Sequence, residues 1–174
     1  LKTRKEKALL EGHFILSSGK RSSVYLQSAI VLSIPEHLKK ISLALVENIK
    51  KIIEIDKINL VVSPAMGGVV IGSKIGEVLN KKAIFLERVN GSFTLRRGFQ
   101  IFKNDKVLLV EDVLTTGKSS LESIDCIKSF GAEVMCLASI IDRSNNNLEF
   151  DCPYTSLAKI NAPIFSEKDI PLAL

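Results

Sequence analysis

The chain has 174 residues, of which 46% are hydrophobic and 25% charged, with a formal net charge of +5. That length supports one domain with a substantial core, and the balance is ordinary for a globular protein. No run approaches the ~18–20 apolar residues of a membrane span, and aromatic residues at 6% without any Trp argue against a single-strand nucleic-acid surface.

Three cysteines, Cys126, Cys136 and Cys152, have no CxxC or histidine-rich spacing. They are expected to be reduced thiols in a cytoplasmic protein, not a disulfide or zinc framework. The first residues are charged without an apolar block after them, which agrees with that location. His13 and His37 are far apart, so no metal site is expected from side chains. The surplus of positive charge fits a phosphate-rich small molecule better than nucleic acid or a membrane.

In chain order, residues 3–11 read as a short helix. Residues 12–35 mix Gly, Ser and short extended pieces, with a strand at 24–26. Pro35 suits an early helix position, and Leu38, Ile41, Leu45, Ile49 and Ile52 recur at helical spacing to about residue 54. A buried strand is expected at 59–62, a tight loop at 63–68, a helix to Leu79 and a strand at 82–86. Residues 88–102 read as a long loop or hairpin, and Asn90-Gly91-Ser92 as a turn. A strand at 106–111 leads to a helix ending at Phe130, with Gly131 as its C-terminal stop. A strand follows at 133–141, and the remainder, broken by Pro153, Pro163 and Pro171, reads as irregular. Alternation of strand and helix from 59 to 141 predicts an α/β fold with a parallel sheet and helices on both faces.

The most informative segment is 107–120, Val-Leu-Leu-Val-Glu-Asp-Val-Leu-Thr-Thr-Gly-Lys-Ser-Ser. Four apolar residues read as a strand buried on both faces, and ligands of open α/β sheets bind beyond such carboxyl ends. Ionised Glu111 and Asp112 can only accept hydrogen bonds, so they suit a ribose diol. Thr115, Thr116, Gly117, Lys118 and Ser119 offer hydroxyls and N–H groups at a helix N-terminus, an anion site. A Walker A loop is rejected, because Asp112 stands where its first glycine belongs. A structural alternative makes the carboxylates a solvated strand end and Ser119 with Glu122 a capping box. It accounts for the cap but not for the whole ordered string.

This string resembles the phosphoribosyl-diphosphate (PRPP) signature of the type I phosphoribosyltransferases. Three further segments resemble the shorter branch of the orotate phosphoribosyltransferases: Gly12 to Ser22, Phe85 to Arg88 with Leu95 to Phe99, and Ile141-Asp142-Arg143. The resemblance runs from about residue 5 to residue 145. It implies a single domain over 1–174, with a core of about 36–142 and a small hood from about 1–35 and 143–174. It implies transfer of the phosphoribosyl group of PRPP to orotate, giving orotidine 5′-monophosphate and pyrophosphate, in UMP biosynthesis. PRPP would be held by Glu111, Asp112, Val113, Leu114 and residues 115–119, with Mg2+ carried by PRPP. Orotate would be held by Tyr25, Thr115 and Arg143, although Tyr25 could equally be core. Ala65, Met66, Gly67 and Gly68 would form the pyrophosphate loop, and Arg88, Arg96, Arg97 and Asp112 would be catalytic. A homodimer is expected if the 88–102 loop serves a neighbouring site.

The chain departs from the family at several points. Gly67 stands where the longer branch has lysine, and Lys118 where a small residue is usual. Arg21 stands where histidine is frequent, and Ser17 where the longer branch has a substrate-contacting lysine. Two alternatives share the 107–120 signature: a phosphoribosyltransferase for another base, and a non-catalytic PRPP-sensing regulator.

Overall fold

The computed structural model describes residues 9–15, 21–144, 148–160 and 164–165, with side chains for 27–144 and 148–160. Its main sheet has six strands: β3 (Leu60–Pro64), β4 (Lys82–Val89), β5 (Ser92–Leu95), β6 (Lys106–Leu114), β7 (Glu133–Asp142) and β8 (Tyr154–Lys159). Their spatial order is β5-β4-β3-β6-β7-β8. All neighbours are parallel except β4 and β5, which form an antiparallel hairpin. A second sheet joins the two ends of the chain. There β1 (Leu9–Ile15), β2 (Arg21–Leu26) and β9 (Ile164–Phe165) pair antiparallel in the order β1-β2-β9.

Strand period 2 sorts the buried residues into two cores. Val61, Leu108, Val110, Cys136 and Ala138 face the helices α1 (Ser28–Leu32), α2 (Pro35–Lys50) and α3 (Gly67–Leu79), which add Leu32, Leu45, Ile49, Ile71 and Ile75. Leu60, Val62, Val107, Leu109 and Leu137 face the other way, onto Ile124 and Ile127 of α4 (Lys118–Ser129). The central strands therefore read as unbroken apolar runs, because neither of their faces meets water.

Three expectations need correction. Residues 9–11, expected to end a helix, instead open β1 (Leu9–Ile15), because this segment pairs with β2 across the hairpin. The C-terminal stretch is not wholly irregular: β8 begins just after Pro153 and extends the parallel sheet beyond β7. Strand β6 continues through Leu114, carrying Glu111 and Asp112 inside the strand instead of beyond it. Of the two forms expected for 88–102, the hairpin is present. Asn90 and Gly91 both have positive φ, 50° and 86°, as a two-residue type I′ turn requires. Gly131, at φ 77°, follows α4 where its stop was expected.

Candidate functional site

The parallel strands β3, β6 and β7 end on one edge of the sheet, and each delivers a candidate segment there. From β3 the chain enters 64–68, whose Ala65–Met66 peptide is cis. Helix α3 starts at Gly67, and its first backbone bond runs from Val69 N–H to Met66 O at 3.2 Å, so the N–H groups of Gly67 and Gly68 precede it. Gly67 lies against the carboxylate of Asp112. A Cβ at position 67 would stand 2.5 Å from Asp112 Oδ1 and 2.6 Å from Oδ2. The 64–68 loop and Asp112, distant in sequence, thus meet at this edge of the sheet. The lysine of the longer branch has no room here beside Asp112 as it is placed.

Glu111 and Asp112 differ in environment. Glu111 is only 7% exposed, and burial, followed by the charge of Asp112, holds its carboxyl well above the usual carboxylate range. Asp112 is half-buried and accepts a short hydrogen bond from the Ser28 hydroxyl. Ser28 opens α1 and was not singled out in the sequence. Its partner is 84 positions away, so no local pattern could have indicated it.

After β6 the chain turns through Thr115 and Thr116 to Gly117, whose φ is +74°. A Cβ there would also meet Leu148 Cδ2 at 2.6 Å. Glycine at 117 is therefore required both by backbone conformation and by the packing of the 148–150 segment. The first backbone bond of α4 runs from Leu121 N–H to Gly117 O at 2.9 Å, so the N–H groups of Ser119 and Ser120 precede it. That is the geometry of an anion cradle. The capping box is corrected: α4 begins at Lys118 with Gly117 as N-cap and no side-chain cap. Glu122 instead pairs with Arg88 at 2.5 Å and stands 3.9 Å from Lys118 Nζ.

Strand β7 brings Arg143 to the same edge. Its N–H donates to Leu114 O at 2.8 Å, setting it beside the start of the cradle at Thr115. The side chain is 2% exposed, and burial pulls its guanidinium below the ordinary arginine value. Asp142 Oδ1 accepts bonds from the N–H and hydroxyl of Ser144, closing the turn that follows β7. Backbone pairing places Tyr25 opposite Leu10, but its side chain lies outside the described residues.

The three hairpin arginines are not equivalent. Arg97 makes two hydrogen bonds to Glu87, at 2.9 and 2.8 Å, and lies 5.8 Å from the ring centroid of Phe85. This pair draws Glu87 down and Arg97 up from their ordinary values. Arg88 reaches Glu122 and Gly91 O, and sits 4.2 Å over Phe93. Arg96, next to Arg97, is exposed.

Comparison with known proteins agrees with this architecture. The model of the phosphoribosyl transferase domain family matches residues 32–171. A protein of Erythrobacter litoralis described as orotate phosphoribosyltransferase is 47% identical over 171 residues, covering 98% of this chain and 88% of its own. A Thermotoga maritima protein of the same description is 44% identical over 165 residues, covering 95% and 86%. Among solved structures, the orotate phosphoribosyltransferase of Aeropyrum pernix superposes with a TM-score of 0.75 at 26% identity, covering 91% of each chain.

Proposed function

The chain belongs to the phosphoribosyltransferase family, and from that premise we propose that it transfers the phosphoribosyl group of PRPP to orotate, yielding orotidine 5′-monophosphate and pyrophosphate. One observation carries the assignment of the site. Near the end of the central parallel strand, Asp112 lies against Gly67 at the start of α3, and the same strand leads through 115–117 into the N-terminus of α4, an arrangement that suits a 5-phosphorylated ribose diol.

The residues divide the work by chemistry. Asp112 and Glu111 accept hydrogen bonds from the ribose hydroxyls, and the negative charge of Asp112 favours the positive charge that develops on the ribose as pyrophosphate leaves, while burial keeps the Glu111 carboxyl well above the usual carboxylate range. The N–H groups and hydroxyls of 115–119, with Val113 and Leu114 leading into them, hold the 5′-phosphate. The backbone of 65–68 receives the pyrophosphate. Arg143, with Thr115 beside it and Tyr25 from the hood strand, takes the orotate: a buried planar cation suits a carboxylate and ring carbonyls. Arg96 is the hairpin cation available for the leaving pyrophosphate, with Arg88 and Arg97 bracing the hairpin through Glu122 and Glu87. No general acid or base is assigned, since positioning and electrostatics carry this transfer.

Mg2+ carried by PRPP would supply positive charge against the diphosphate, with Asp112 and Glu111 the nearest carboxyl groups of the proposed site. Among the described residues no group of three or more His, Cys, Asp or Glu could hold a metal ion. A cytoplasmic location is part of the same proposal, resting on the three cysteines without CxxC or paired spacing. No helix among the described residues is long and apolar enough to cross a membrane. A homodimer with the hairpin serving the neighbouring site completes the proposal, and the whole chain, core and hood, acts as one domain.

A panel of orotate, uracil, hypoxanthine and adenine with PRPP and Mg2+ tests the choice of base by pyrophosphate release. Orotate alone should turn over. Product from a purine or uracil with none from orotate would overturn it.

A further inference from the structure

We propose that Ser28 is a positioning residue for the transfer: its hydroxyl fixes the orientation of the Asp112 carboxylate and ties the hood to the ribose site. This rests on the assignment of Asp112 to the ribose diol.

The Ser28 hydroxyl donates to Asp112 Oδ2. A carboxylate has about four acceptor positions, so this contact leaves Oδ1 for a diol. It also removes the freedom of the carboxylate to rotate. Gly67 lies against both oxygens from the α3 side, at a distance where even a methyl group would collide. Asp112 is thus bounded by backbone on one side and held by a hydroxyl on another, with buried Glu111 preceding it.

Ser28 is itself anchored. Four residues later Leu32 is 3% exposed in the core between the sheet and α2–α3. Two residues before Ser28, β2 ends at Leu26, with Gln27 the sole link. Tyr25, assigned to orotate, lies on that strand. The contact with Asp112 thus lies three residues along the chain from Tyr25. The two substrates approach opposite ends of this short connection.

The test is a double-mutant cycle on the full-length chain, read as kcat/KM for PRPP, KM for orotate, and calorimetric PRPP affinity with Mg2+. Ser28→Ala should lower kcat/KM for PRPP about tenfold, the scale of one charge-assisted hydrogen bond, with KM for orotate nearly unchanged. Ser28→Thr keeps the hydroxyl and should recover most of the loss. In an Asp112→Asn background, Ser28→Ala should cost less than about twofold, since its partner charge is gone. If Ser28→Ala lowers the melting temperature, Ser28→Cys, a near-isosteric weak donor, carries the same comparison.

A Ser28→Ala enzyme within about twofold of the parent, beside an inactive Asp112→Asn, would overturn the role of Ser28 alone. A tenfold loss that persists unchanged in the Asp112→Asn background would overturn it too, by showing that the two residues act independently. Full activity and PRPP affinity in Asp112→Asn would instead overturn the ribose assignment beneath it.

Discussion

Replacing Gly67 by alanine separates stability from activity more cleanly than any other single change. The new methyl carbon would sit 2.5 Å from Asp112 Oδ1, whereas ordinary contact begins at 3.4 Å. The carboxylate or the loop must therefore give way by about 0.9 Å. A misplacement of ~1 Å at a reacting centre costs on the order of 10²-fold in rate, or about 2.7 kcal/mol of transition-state stabilisation. The atoms that must move are the end of the half-buried Asp112 side chain, so the cost to the fold is small. Gly67 is exposed, begins α3, and is not among the residues of positive φ. The loss of unfolded-chain freedom on going from glycine to alanine, roughly 0.4–1 kcal/mol where no strain opposes it, offsets part of that cost. Steady-state kinetics and thermal melting on the same preparation should show a loss near a hundredfold in kcat/KM with a melting temperature close to the parent's. Activity within about twofold of the parent would refute the claim that Asp112 is held where it works.

Other outcomes follow from the same geometry. Arg143→Ala should raise KM for orotate strongly and leave calorimetric PRPP affinity nearly intact; equal loss on both substrates would contradict its assignment to the base. Glu111 is held above its unfolded value, so the stability of the empty protein is full below the ordinary range near 4.5 and is lost as pH rises towards the raised value. Glu111→Gln should therefore melt higher than the parent at neutral pH, with the difference shrinking in acid, yet bind PRPP more weakly. For shared sites, mixing Asp112→Asn chains with Arg96→Ala chains should restore activity through hybrid dimers, measured against each variant alone. No recovery, with a monomer in sedimentation, would count against them.

The central sheet was legible because burial on both faces leaves a direct trace. Val107 to Val110 form an apolar run with no polar alternation, and the loops that follow such strands carry the glycines and hydroxyls. The placement of Glu111, Asp112, residues 115–119 and Arg143 at one edge of the sheet was legible for the same reason, since all lie within or just after strand ends. What escaped depends on pairing between distant segments. The residues of β1 and β8 show no period of their own strong enough to mark a strand, and they become strands through β2 and β7. Ser119 and Glu122 matched a capping box locally, but Gly117 already turns the chain into α4 and Glu122 is drawn to Arg88. Ser28 reads as one serine among several, and only the fold sets it against Asp112. The nearness of Gly67 to that carboxylate is likewise a fact of packing, with no trace in the spacing of the residues.

Calorimetric titration of PRPP with Mg2+ into Asp112→Asn, beside its steady-state activity, tests the central claim most directly. Asparagine keeps the size of the side chain and removes its charge, so the protein should fold and melt close to the parent. Each charged hydrogen bond lost is worth on the order of 1.5–3 kcal/mol, or roughly tenfold to over a hundredfold. The account predicts a loss of that size in turnover, with weakened PRPP binding. Parental affinity and turnover in Asp112→Asn would contradict it.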